Sequence, residues 1–148
     1  MMKKFLTTIF LLSFLVSIPT INYAQCKNFT RKTCMPQLSP YIYNGQLNSA
    51  ILSEGDVAEL MLTFYSNQDY RILICAEENL GKIGFRLLDS ERNLIFDNKD
   101  HDYTSMWDFS STSTQQLIVE ITVPENDTDA KKVKSGCVSI LIGFMSDN

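Results

Sequence analysis

From Val57 onward apolar and polar residues alternate, and that pattern constrains this 148-residue chain more than any other feature. In VAELMLTFY, Ala58, Leu60, Leu62 and Phe64 interleave with Val57, Glu59, Met61 and Thr63. That is the period-two signature of a strand with one buried face. Comparable runs recur at roughly 8–12-residue spacing: YRILICA, IGFRLLD, NLIFDN, YTSMWDF, QQLIVEITV and CVSILIGF. Turn formers such as SNQD and DSERN separate them. IGFRLLD puts Ile83, Phe85 and Leu87 on one face, and NLIFDN puts Leu94 and Phe96 together. With a weaker strand near YIYNGQL the count reaches about eight. Such a chain is expected to fold as an all-β protein, an antiparallel β-sandwich with jelly-roll or Greek-key connectivity.

The N-terminus reads differently. MMKKFLTTIFLLSFLVSIPTINYAQ carries Lys3 and Lys4, then an apolar stretch from Phe5 to Val16, then Pro19. These are the three regions of a secretory signal peptide, expected over residues 1–24 with cleavage after Ala24. The apolar stretch is too short to span a bilayer, which takes roughly 20 residues. A lipoprotein anchor on Cys26 is disfavoured by Gln25 and Tyr23 at the positions where that processing wants a small residue and a leucine. Residues 25–148 then form one domain, and no membrane insertion is expected once the leader is gone. The expected location is periplasmic or extracellular.

Without Lys3 and Lys4, 11 basic residues face 17 acidic ones, a net charge of −6. That balance argues against nucleic acid as a partner, because phosphate binding needs clustered Lys and Arg. The one basic cluster, Lys27, Arg31 and Lys32, reads as a solvated N-terminal segment.

Cys26, Cys34, Cys75 and Cys137 all follow the leader, an even number in an exported chain, and are expected to form disulfides. There is no C-x-x-C pair, and His101 is the single histidine, so zinc is poorly served. Cys75 and Cys137 fall out of phase with the main apolar rows of their strands, on the second face of the sheet. Bridges from Cys26 to Cys34, closing a short N-terminal loop, and from Cys75 to Cys137 are the preferred pairing of the three available.

EGDVAELMLTFYSNQDYRILICAEENLGKIGFRLLDSERNLIFDN, followed by SMWDFSS and a final pair of strands, resembles the bacterial pre-peptidase C-terminal domain. The resemblance is carried by Asp69-Tyr70-Arg71-Ile72, Phe85-Arg86-Leu87-Leu88-Asp89 and Asn93-Leu94-Ile95-Phe96-Asp97-Asn98. It implies a jelly-roll-like sandwich with accessory or binding behaviour rather than catalysis. The chain departs from that family in carrying an N-terminal cysteine pair and no catalytic domain. Fold likeness alone assigns no function.

Catalytic chemistry finds little purchase. Any Ser–His–Asp triad must use His101, which sits in the charged DNKDHDY segment, and no G-x-S-x-G elbow occurs. No cofactor is expected. Calcium is the one metal candidate: Asp97, Asn98, Asp100 and Asp102 offer oxygens within six residues, although Lys99 intrudes and the EF-hand glycine and closing glutamate are missing. If YTSMWDF is an unbroken strand, Tyr103, Trp107 and Phe109 share a face. They are then either core or a stacking platform for sugar rings, with Tyr103 the most exposed and Phe109 the most buried. Two functions follow. One is a noncatalytic module of the cell envelope that engages an envelope or extracellular protein, through a sheet edge or the cysteine loop. The other is a carbohydrate-binding module, calcium-assisted if the acidic loop takes the ion, using Tyr103 and Trp107 on a glycan. Oligomeric state is open.

Overall fold

The computed structural model describes residues 22–125 and 132–145. Most of the expected leader, residues 1–21, lies outside them, as do residues 126–131 of the polar connection before the last strand. Among the described residues nine strands form two packed antiparallel sheets. They are β1 (Ile42–Tyr43), β2 (Asn48–Ser53), β3 (Val57–Phe64), β4 (Gln68–Ala76), β5 (Gly84–Asp89), β6 (Leu94–Asp97), β7 (Met106–Ser111), β8 (Gln115–Thr122) and β9 (Ser135–Phe144). One sheet runs β2-β9-β4-β7, with β1 on the same flank of β9 as β2; the other runs β3-β8-β5-β6. Most consecutive strands cross from one sheet to the other, and the resulting order is that of a jelly roll.

The alternation read from the sequence sets the core. Phe64, Tyr70, Ile72, Ile74, Phe85, Leu87, Leu117, Val119, Ile121, Val138, Ile140 and Ile142 meet between the sheets. Leu94 is the exception. It is exposed while Phe96 is buried, because the register slips between Leu87 and Leu88: Phe96 pairs with Leu87 on the inner face and Leu94 with Leu88 on the outer one. A bulge of this kind breaks period-two parity.

The N-terminal segment is a cover, not a loop. Helix α1 (Asn22–Phe29), a π-helical turn (Thr30–Cys34) and a 3-10 turn (Met35–Leu38) lie on the outer face of the β2-β9-β4-β7 sheet. They bury a second apolar cluster of Cys34, Leu38, Leu73, Cys75 and Leu141. The Thr30 hydroxyl donates to the Cys26 carbonyl at 2.7 Å, so Ser139 is the donor in the 2.7 Å bond between their side chains. Arg71 pairs bidentately with Asp108 and also donates to the Ser39 carbonyl at 3.1 Å, fastening the end of the segment.

All four cysteines are bridged, but not in the expected pairs: Cys26 joins Cys137 and Cys34 joins Cys75. The reason is register. Cys75 sits opposite Ser139 on β9, so Cys137 is a diagonal neighbour two residues away. Diagonal neighbours stand about 7–8 Å apart, whereas a disulfide needs Cβ atoms at roughly 3.5–4.5 Å. Cys26 and Cys34 fail for the same kind of reason. Eight residues of helical backbone, at about 1.5 Å each, hold them roughly 12 Å apart. Both bridges therefore tie the cover to the sheet. The Cys26 sulfur is consumed in one of them, leaving none for a lipid thioether.

Candidate functional site

Tyr103, Trp107 and the acidic loop lie near one end of the sandwich, but the chain arranges them differently from an unbroken strand. β7 starts only at Met106. Tyr103 precedes it in a turn where Asp102 and Tyr103 both have positive φ, 53° and 56°. Trp107 and Phe109 face the core, and Trp107 stacks on Phe96 at 4.0 Å between ring centroids. His101 stacks on Phe96 as well, at 5.0 Å. Trp107 is thus half-buried in an aromatic ladder, while the Tyr103 ring is exposed, with the Lys82 ammonium 5.6 Å from its centroid.

The acidic loop is organised around Asn98, which is buried. Its Oδ1 accepts from the Phe85 backbone N–H at 2.8 Å, and its Nδ2 donates to the Ile83 and Thr104 carbonyls at 3.0 Å. Its amide is thereby spent on pinning the loop. Asp97 caps the turn by accepting from the Lys99 N–H at 3.0 Å. Asp97, Asp100 and Asp102 do not converge: among the described residues no three acidic, histidine or cysteine side chains form a set that could hold a metal.

Beside Tyr103 an open groove of about 770 Å3 runs between the N-terminal cover and the β4 exit. Phe29, Thr33 and Gln37 form one wall, and Asn79, Lys82 and Tyr103 the other. Trp107 does not reach it. The groove's cover-side wall stands where it does because Cys34 is bonded to Cys75 beneath it.

A second region was not singled out from the sequence. β3 pairs with β8 along its whole length, and among the described residues no strand lies on its other side. Two depressions follow that free flank end to end. One, of about 340 Å3, lies between Ala58–Leu60 and Leu47–Leu52 over Ile121, Val138 and Ile140. The other, of about 570 Å3, lies between Met61–Ser66 and Asn44–Gln46 over Ile142 and Phe144. The outward row of β3 carries exposed apolar side chains: Val57 is 60% and Met61 54% accessible, and Tyr65 just beyond the strand 65%. Glu59 is its one charge, and it is answered within the chain. Arg92 binds it through both terminal nitrogens and holds its carboxyl below the ordinary glutamate range. Natural edge strands are usually blunted by lysine, proline or a bulge; β3 has none of these. That absence was visible in the sequence, but which strand forms an edge was not.

No protein-family profile matches the chain, and no curated protein does. Among solved structures, a periplasmic inhibitor of g-type lysozyme, PliG of Aeromonas hydrophila, superposes with a TM-score of 0.48 at 11% identity, over 68% of this chain and 85% of that one. A likeness at this level transfers no role to any residue here. Nor is any helix among the described residues long and apolar enough to cross a membrane.

Proposed function

We propose that this chain is an exported, noncatalytic protein-interaction module whose binding element is the free edge of β3. The observation that carries this reading is the coincidence of three features on one strand: an unpaired edge, no lysine, proline or bulge, and depressions along it of which the one beside Ala58–Leu60 is apolar. An extended segment added to such an edge gains main-chain hydrogen bonds, while its alternate side chains enter the cleft. Two disulfides suit an oxidising compartment, and the accessory behaviour implied by the pre-peptidase resemblance points the same way. His101, the single histidine, stacks on Phe96.

The test is a photo-crosslinking amino acid placed at Thr63 in the exported protein, in its own cell envelope, with a second placed at Ile95 on β6 as control. A discrete protein adduct from Thr63 that is absent from Ile95 is expected. Equal adducts from both, or none from Thr63, would overturn the reading.

A glycan reading has one observation in its favour, the exposed Tyr103 ring held over a groove lined by amides and Lys82. It predicts retention on a glycan array that Tyr103→Ala abolishes while Trp107→Phe leaves it intact. Retention unaffected by Tyr103→Ala would dispose of it.

A further inference from the structure

We infer that the β3 edge takes a second copy of this chain, paired antiparallel about a two-fold axis through Met61. The inference rests on the reading of β3 as a pairing edge and names its occupant.

When a strand pairs with its own copy about an axis normal to the sheet, residues i and j face each other wherever their numbers share a fixed sum. Side chains of facing residues lie on the same side of the sheet, so that sum must be even. This leaves few registers for Val57–Phe64, and they are not equivalent. With the axis at Met61, Val57 faces Tyr65 of the second copy, Met61 faces Met61, and Tyr65 faces Val57. The three large apolar side chains that β3 and its next residue leave exposed are thus matched among themselves. Glu59 faces Thr63, so no carboxylates meet. On the inner row Leu60 faces Leu62, and Ala58 faces Phe64, small against large. These side chains close over the cleft whose floor is Ile121, Val138 and Ile140.

The neighbouring registers match fewer of these three side chains: an axis at Thr63 pairs Met61 with Tyr65 but leaves Val57 without a partner on β3. An axis at Glu59 sets two carboxylates opposite each other, which destabilises a strand pair. An axis at Leu60 puts Glu59 against Met61 and leaves Tyr65 facing Gly55. An axis at Leu62 puts Met61 against Thr63 and Glu59 against Tyr65. Glu59 brings no unanswered charge to the contact, because Arg92 of its own chain already binds it. The outcome is one continuous eight-stranded sheet across two copies, made from the four strands β3-β8-β5-β6 of each. A single edge contact lies at the small end of specific interfaces, below or near about 1,200 Å2, so the dimer is concentration-dependent.

Light scattering on the full exported protein, from low- to high-micromolar concentration, is expected to show the mass doubling. Met61→Lys sets two ammonium groups on the axis and is expected to hold the protein monomeric, with an unchanged circular dichroism spectrum. Under mild oxidation Met61→Cys is expected to give a disulfide-linked dimer, because the substituted side chains face each other; Thr63→Cys is expected not to. A monomer at every concentration, or equal crosslinking by the two cysteine variants, overturns the inference. If the wild type is a monomer yet its β3 crosslinks to another envelope protein, only the second-copy inference falls. If it dimerises in the Met61 register and captures nothing else, the inference stands and the reading narrows to self-association.

Discussion

Removing the Cys26–Cys137 bridge tests the covalent frame more sharply than any other single change. In the chain-entropy account a disulfide stabilises by restricting the unfolded chain, and the cost of losing it grows with the logarithm of the loop it closes. The observed bridges span 111 and 41 residues, which gives about 5 and about 4 kcal/mol respectively. Either is a large part of the roughly 5–15 kcal/mol that a small domain has. The double substitution Cys26→Ser, Cys137→Ser leaves Cys34 and Cys75 bonded to each other, and also frees α1 from β9. With a urea slope of about 2 kcal/mol per molar, the unfolding midpoint is expected to fall by roughly 2.5 M. Mass spectrometry of the folded, unreduced variant decides the connectivity independently of the energy. No thiol is expected to label, and one bridged peptide pair should contain Cys34 and Cys75. Two labelled thiols would mean that Cys26 and Cys137 had not been bonded to each other, and the reasoning from register would be wrong.

Three further outcomes follow from the geometry. Asn98→Ala removes three hydrogen bonds, one buried and two part-buried, at about 1 kcal/mol each, so a loss of roughly 3 kcal/mol in a urea titration is expected; a loss below about 1 kcal/mol would show that the loop is held some other way. The Arg71 guanidinium bonded to Asp108 holds that carboxyl below its ordinary aspartate range. A depressed folded pKa adds stability that is complete above the ordinary value, about 3.9, and disappears as pH falls through the folded one. Wild type and Asp108→Asn are therefore expected to converge in melting temperature as the pH drops below about 4, by a modest amount because Asp108 is 42% exposed and screened by solvent; a gap that widens in acid would reverse the sign. Since Asp97, Asp100 and Asp102 do not converge on one point, the melting temperature should be the same in calcium and in chelator, and a rise with calcium would show that the loop regroups around the ion.

Much of this architecture was legible before any coordinates. The inward rows of β3, β8 and β9 are local patterns, because successive side chains of an extended backbone point to opposite faces. Composition likewise favoured an exported domain stapled by four cysteines. The phase of Cys75 and Cys137 placed them on the second face of their sheet, and there they are. The same phase carries a further signal: Leu73 and Leu141 share that face, and two leucines on an outer face need a cover. Helix α1 and the turns after it supply one, from a stretch with no helical periodicity of its own.

What remained belongs to relations between distant residues. Cysteine pairing depends on the β4–β9 register, set by the whole ladder, and a two-residue offset there rules out the bridge that strand adjacency suggests. The outward Leu94 depends on a bulge in pairing with β5, and the buried amide of Asn98 on carbonyls at Ile83 and Thr104 that only the folded loop brings near. The exposed edge of β3 depends on which strands end up in the middle of their sheets. The chain's alternation determined the faces of its strands, because side-chain direction is a property of each residue's own backbone. Only the tertiary structure decided which faces, edges and sulfur atoms meet, because those distances are set by segments far apart in sequence.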